Sequence, residues 1–162
     1  MDARATDAET RVDRADHGAI RLWLRMLATN RLVETRTRRL LQERYATTLP
    51  RFDLMAQLER VPRGLKMGEL SKRMMVTGGN VTGITDMLEK EGLVERVAEP
   101  GDRRARLVRL TGAGRRAFSA MAEEHERWIV EAFKELSGRE MSKMAALLAR
   151  LKAHVRSLEG EA

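Results

Sequence analysis

The sequence predicts a mainly α-helical fold with one small β-hairpin, in a chain whose 162 residues suit one domain of ordinary size. Three observations lead there. Apolar residues recur at three- and four-residue intervals over most of the chain after residue 16. Strand-like stretches are confined to the two sides of Glu-Pro-Gly-Asp at 99–102. Hydrophobic residues make up 43% of the chain, enough for a core, while aromatics are only 4% and Met occurs 10 times, which points to a soft interior.

The elements follow in order. Residues 1–16 alternate small and charged groups without an apolar period and read as a flexible N-terminal arm. Residues 17–45 form a helix with two apolar faces, Ile20, Trp23, Leu24 and Leu27 on one and Leu22, Met26 and Val33 on the other. A helix apolar on more than one side needs more than one neighbour. Leu49 to Leu58 is a second helix, with Thr48 as its cap and Pro50 in its first turn. Lys66 to Met74 is a short third helix. Thr77 caps a fourth, which runs to about Glu91 with Val81, Ile84 and Leu88 inward, and Gly92 ends it. Leu93 to Val97 and Arg104 to Leu110 are the two strands of the hairpin. Thr111 or Gly112 opens a long helix carrying Phe118, Met121, His125, Trp128, Ile129, Phe133 and Leu136, and Ser137-Gly138-Arg139-Glu140 fits a capping box before the last one. There Met141, Met144, Leu148, Leu151, Val155 and Leu158 repeat with the 3/4 spacing of a helix–helix seam.

This order places a helix-turn-helix and a hairpin wing at about 48–111, between terminal helices at about 17–45 and 112–158. Those terminal helices expose too much apolar face for a monomer and predict a homodimer, so residues 17–162 are expected to act as one winged helix-turn-helix domain.

The charge is directed. Lys and Arg number 31 against 24 acids, a net +7, and the excess lies in residues 21–51 (+6) and 59–116 (+5), while 117–162 carry −1. A basic surface of this kind favours an anionic partner, nucleic acid first. There is no Cys, which excludes disulfides, thiolate metal sites and Cys nucleophiles. No apolar run reaches the roughly 20 residues of a membrane span, and the start is charged, so a soluble, cytoplasmic protein without membrane association is expected. His17, His125 and His154 are not grouped with carboxylates at ligand spacing. Asp86, Glu89 and Glu91 read as solvated charge, so no enzyme, metal or cofactor is expected.

The run LKMGELSKRMMVTGGNVTGITDMLEKEGLVERV followed by EPGDRRARLVRLT resembles the MarR family of winged helix-turn-helix regulators. The similarity is strong over residues 66–111. The family's wing pattern D-x-R-x-x-x-V-x-L-T falls on Asp102, Arg104, Val108, Leu110 and Thr111, and Gly92-Leu93-Val94 closes the recognition helix as is typical. Met75 departs from a turn position that often carries Gly. The resemblance implies sequence-specific binding of double-stranded DNA with a pseudo-palindromic operator, and small-molecule control. It also implies that one wing Arg enters the minor groove while Asp102 holds the loop through a salt bridge.

The residues agree with that implication. The first turns of a recognition helix face base edges in the major groove. Here they read Thr77-Gly78-Gly79-Asn80-Val81-Thr82-Gly83. Asn80 can pair with adenine or merely cap the helix, and Thr82 can meet a thymine methyl or a phosphate. Lys72, Thr77, Thr85, Gly78 and Gly79 complete the expected contact set on the helices, and Arg103, Arg104 and Arg106 supply it on the wing. Arg103 is the expected minor-groove arginine and Arg104 the partner of Asp102, although the two roles can exchange.

More narrowly, GGNVTG and LPRFDLMAQL resemble members that control the breakdown of aromatic acids, some of which sense aryl-coenzyme A thioesters. On that reading Arg31, Arg36, Arg38 and Arg39 meet phosphates. Trp23, Met26, Phe52, Met55 and Trp128 then either enclose an aryl group or are plain core. The expected activity is that of a repressor whose effector, an aromatic acid or aryl-coenzyme A thioester, weakens DNA binding. The alternative is a protein-interaction module whose basic face docks an acidic protein.

Overall fold

A computed structural model describes residues 17–74 and 78–160, without the side chains of Asp102, Arg103, Arg104 and Glu159. The arm at 1–16 and Met75, Val76 and Thr77 lie outside the described residues. The chain groups into two compact units, one ending at Ala122 and the other beginning at Glu123.

The first unit contains α1 (Gly18–Tyr45), α2 (Leu49–Glu59), β1 (Leu65–Lys66), α3 (Met67–Met74), α4 (Gly78–Lys90), β2 (Val94–Glu99), β3 (Asp102–Leu110) and the first half of α5 (Gly112–Phe133). The three strands form an antiparallel sheet in the order β1-β3-β2, with Leu65 opposite Val108 and Val94 opposite Leu110. The hairpin is longer than its sequence pattern predicts. Only Pro100 and Gly101 lie outside the strands, and Gly101 supplies the positive φ of 89° that reverses the chain. β1 was not expected, because two residues show no alternation to detect.

The core of this unit collects Leu41 from α1, Phe52, Leu54, Met55 and Leu58 from α2, Leu70 from α3, Val81 and Leu88 from α4, and Val108 and Leu110 from β3. Phe52 and Phe118 meet at 5.3 Å between ring centroids, and the Tyr45 hydroxyl donates to the Ala120 carbonyl at 2.9 Å, so the start of α5 is fastened to α1 and α2. α5 begins under an unusual constraint. The Thr111 hydroxyl donates to the Gly92 carbonyl at 2.7 Å and accepts the Gly114 N–H at 3.0 Å. A Cβ on Gly114 would lie 1.9 Å from the Leu93 carbonyl oxygen, so no larger residue fits there.

One local signal is followed only in part. Thr48 occupies the N-cap position of α2 in extended conformation, but its side chain makes no capping hydrogen bond. α1 ends with Ala46 at φ 47°, where the Ala46 and Thr47 N–H groups donate to the Gln42 and Leu41 carbonyls.

The second unit holds the rest of α5 and α6 (Gly138–Gly160). Its capping box is formed as predicted. Glu140 Oε2 accepts the Ser137 N–H at 2.8 Å, and the Glu140 N–H reaches Ser137 Oγ at 3.3 Å. Along α6 the seam residues are open to solvent in the single chain, from 38% at Leu148 to 54% at Leu158.

Candidate nucleic-acid interface

α4 is held by one side only. Val81, Thr85 and Leu88 are buried, and helical spacing puts Gly79, Gly83, Asp86 and Lys90 on the opposite side, all exposed. Asn80 and Thr82 flank that side and are exposed as well, and Thr82 Oγ1 donates back to the Gly78 carbonyl at 3.0 Å. A Cβ added at Gly78, Gly79 or Gly83 would meet no atom within 4 Å. Packing among the described residues therefore gives no reason for glycine at these positions, although at the interior one, Gly83, glycine costs the helix about 1 kcal/mol relative to Ala. Lys72 and Arg73 in the last turn of α3 are exposed and make no ion pair among the described residues.

The wing supplies a second row of charge. Arg106 on β3 is exposed without an ion pair among the described residues. Arg109 pairs with Glu95 at 2.8 Å and Lys66 with Glu99 at 2.7 Å, so those cations are already engaged. The side chains of Asp102, Arg103 and Arg104 lie outside the described residues, and so do their expected roles.

Two arginines fasten α4 and its C-terminal end to their surroundings. Arg51, in the first turn of α2, bonds to Glu91 just beyond the end of α4. Arg96 on β2 bonds to both Asp86, at 2.5 Å, and Glu89, and its backbone N–H donates to Glu89 Oε1 at 3.2 Å. Asp86, Glu89 and Glu91 are thus engaged in ion pairs, where solvated charge was expected. The hydrogen bond to Asp86 is the largest of the effects that hold the Arg96 guanidinium above its ordinary pKa.

The expected contact residues are placed as follows. Lys72, Gly78, Gly79, Asn80, Thr82 and Arg106 share the exposed surfaces of α3, α4 and β3, while Thr77 lies outside the described residues. Thr85 is a correction. It is fully buried at 0% exposure, and its hydroxyl donates to the Val81 carbonyl at 2.8 Å, with the Met67 sulfur at 3.8 Å. Its spacing of four from Val81 carried that information. Arg73 was missed, although it directly follows Lys72.

The expected effector residues are not all surface groups. Arg31 and Arg36 are exposed along α1, Arg38 pairs with Glu34 at 2.6 Å, and Arg39 pairs with Glu43 at 2.6 Å. The Glu43 hydrogen bond and charge raise the Arg39 pKa. Trp23 is 58% exposed and Met26 half-buried. Phe52 and Met55 are corrected to core, at 7% and 1% exposure, because α2 turns this face against the centre of the lobe. Trp128 is half-buried in the second unit. Among the described residues no three His, Asp or Glu gather as a metal site, and no helix is long and apolar enough to cross a membrane.

A three-helix lobe with an uncovered helix α4 and a basic hairpin beside it defines the winged helix-turn-helix class. Comparison with known proteins narrows this. The MarR family model matches residues 47–105. The transcriptional activatory protein BadR of Rhodopseudomonas palustris is 33% identical over 108 residues, or 65% of this chain, and the match spans 61% of that relative's length. A solved MarR family transcriptional regulator from Silicibacter pomeroyi is 33% identical with a TM-score of 0.73, covering 89% of this chain and 99% of its own. The fold is shared as well by Sco3205 of Streptomyces coelicolor, a MarR family regulator solved in complex with DNA. It has 23% identity, a TM-score of 0.75, and coverage of 87% and 89%. The chain belongs to the MarR family of transcriptional regulators, which are not enzymes.

Proposed function

We propose that this chain is a sequence-specific DNA-binding regulator that acts as a cytoplasmic homodimer. In this reading α4 enters the major groove and the β2–β3 hairpin lies along the adjacent minor groove. The observation that carries the reading is the pair of glycines Gly79 and Gly83, one turn apart in open space on the exposed side of α4. Gly83 lowers helix stability without serving packing among the described residues, and both glycines would let a partner approach the helix backbone closely. Asn80 and Thr82 stand beside them as hydrogen-bonding groups, and Lys72, Arg73 and Arg106 supply charge for phosphates. A protein-docking role for the same basic surface is not favoured by the family.

The dimer is supported by the open apolar seam of α6, which continues from Met141 to Leu158, and by Ile20, Leu22, Trp23 and Leu32 exposed on α1. Two equivalent recognition helices call for a pseudo-palindromic operator with half-site centres about 10 bp apart.

In the finer reading the protein represses an operon for aromatic-compound catabolism until an aromatic acid or its coenzyme A thioester releases it. Support comes from α1, whose Arg31 and Arg36 are exposed. Arg38 and Arg39 line a cavity of about 370 Å³ with Gln42, Thr47, Thr48 and Leu49. Selection of bound fragments from genomic DNA, followed by titration of the selected duplex at several salt concentrations, tests the central reading. Nanomolar, salt-sensitive binding at one family of sites is expected, and equal affinity for random duplex would refute sequence-specific function. Titrating free aromatic acids against their thioesters on that complex tests the effector.

A further inference from the structure

The exposed side of α4 carries an acidic group where DNA should lie. Helical spacing puts Asp86 on the same side as Gly79 and Gly83, and Glu89 one turn position further along its edge. Bare carboxylates there would face the phosphates across a gap shorter than the roughly 10 Å over which charges act at 0.1 M salt. They are not bare. Arg96 reaches across from β2 and takes both, through Nη2 to Asp86 Oδ1 at 2.5 Å and through Nη1 to Glu89, while the same Glu89 carboxylate accepts the Arg96 backbone N–H. The guanidinium is itself mostly covered, with 27% of its side chain accessible, so it is placed for these carboxylates more than for solvent. The neighbouring cation–anion pairs are different in kind: Arg109–Glu95 joins β3 to β2 and Lys66–Glu99 joins β1 to β2, both within the sheet.

We propose that Arg96 is a positioning residue for DNA binding: it masks Asp86 and Glu89, so that the recognition helix can approach the duplex without presenting two negative charges. The inference rests on the DNA-binding reading above. Arg96 acts through the two carboxylates, and the tie to backbone and side chain of β2 fixes the distance between helix and wing at the same time. An arginine is protonated throughout the working pH range, and the hydrogen bond to Asp86 raises its pKa further.

The test compares the full-length chain with three variants by fluorescence anisotropy, on its selected operator and on random duplex, between 50 and 200 mM salt. Thermal melts of each variant check that it is folded. Arg96→Gln should weaken operator binding roughly 3- to 10-fold at low salt and leave the slope of log affinity against log salt nearly unchanged, because no phosphate contact is removed. Asp86→Asn/Glu89→Gln with Arg96 kept should bind more tightly than the original chain. The triple variant Asp86→Asn/Glu89→Gln/Arg96→Gln should recover most of the affinity that Arg96→Gln loses.

A triple variant as weak as Arg96→Gln would overturn the mask and make Arg96 a phosphate contact in its own right. Unchanged affinity in both Arg96→Gln and the double variant would also overturn it. Absence of duplex binding by the unaltered chain would instead refute the DNA-binding reading, and the mask with it. These three failures are distinguishable in one titration series.

Discussion

Gly83→Ala should make this protein more stable and a poorer DNA binder. Gly83 lies within α4 on its exposed side, and a Cβ there would touch nothing within 4 Å. The added methyl removes backbone freedom from the unfolded chain and strains nothing in the folded one. The expected gain approaches 1 kcal/mol, the helix-interior difference between Gly and Ala. For a chain of this length that raises Tm by roughly 2–4 °C, measured at fixed protein concentration because a dimer melts concentration-dependently. The same methyl would stand between helix backbone and groove. Forcing an extra methyl into a close-packed contact costs on the order of 1–3 kcal/mol, a loss of about 5- to 150-fold in operator affinity. Differential scanning fluorimetry and anisotropy on one preparation give both values. A stabilised variant with unchanged affinity would refute close approach at Gly83. A destabilised one would refute the assignment of this residue to open space on a regular helix.

Other perturbations have separate signatures. Gly114→Ala should behave in the opposite way, with a loss of roughly 1–3 kcal/mol of stability in melts, because its Cβ would collide with the Leu93 carbonyl at 1.9 Å. Asn80→Ala should cost about 1–3 kcal/mol at one base position and relax selectivity there, whereas Arg106→Ala should weaken operator and random duplex alike; competition with single-base operator variants separates the two. At the start of α6, hydrogen bonds from the Ser137 side chain and then its backbone hold the Glu140 carboxyl below its ordinary value of 4.5. A carboxyl lowered on folding contributes fully above its unfolded value and loses that contribution as pH falls through the folded one. Acid below about pH 4.5 should therefore fray the α6 N-terminus, and the helicity difference between the native chain and Glu140→Gln, followed by circular dichroism, should vanish in that window.

Most of the architecture was legible in the residues because it depends on local signals. Periods of three and four residues marked the helices, Ser137 and Glu140 announced their capping box, Pro100-Gly101 announced the hairpin turn, and the MarR resemblance followed from residues 66–111. The exposed set on α4 was legible too, with one error: Thr85 stands in the expected contact set, although its four-residue spacing from Val81 puts it inward. Inside the core its hydroxyl is satisfied by the carbonyl one turn back, which lets a polar residue occupy a buried helical position.

What only the tertiary structure decided involves residues distant along the chain or of ambiguous chemistry. β1 exists because Leu65 and Lys66 meet Val108 and Leu107 more than forty positions later, a pairing with no local trace. Phe52 and Met55 have the same composition whether they line a ligand cavity or fill a core, and only the fold of α2 against Phe118, Leu41 and its other neighbours assigns them to the core. Asp86, Glu89 and Arg96 look like ordinary surface charge in the sequence. Their joining depends on the hairpin folding back beside α4, and charge pairing acts through space, where the sequence records only order.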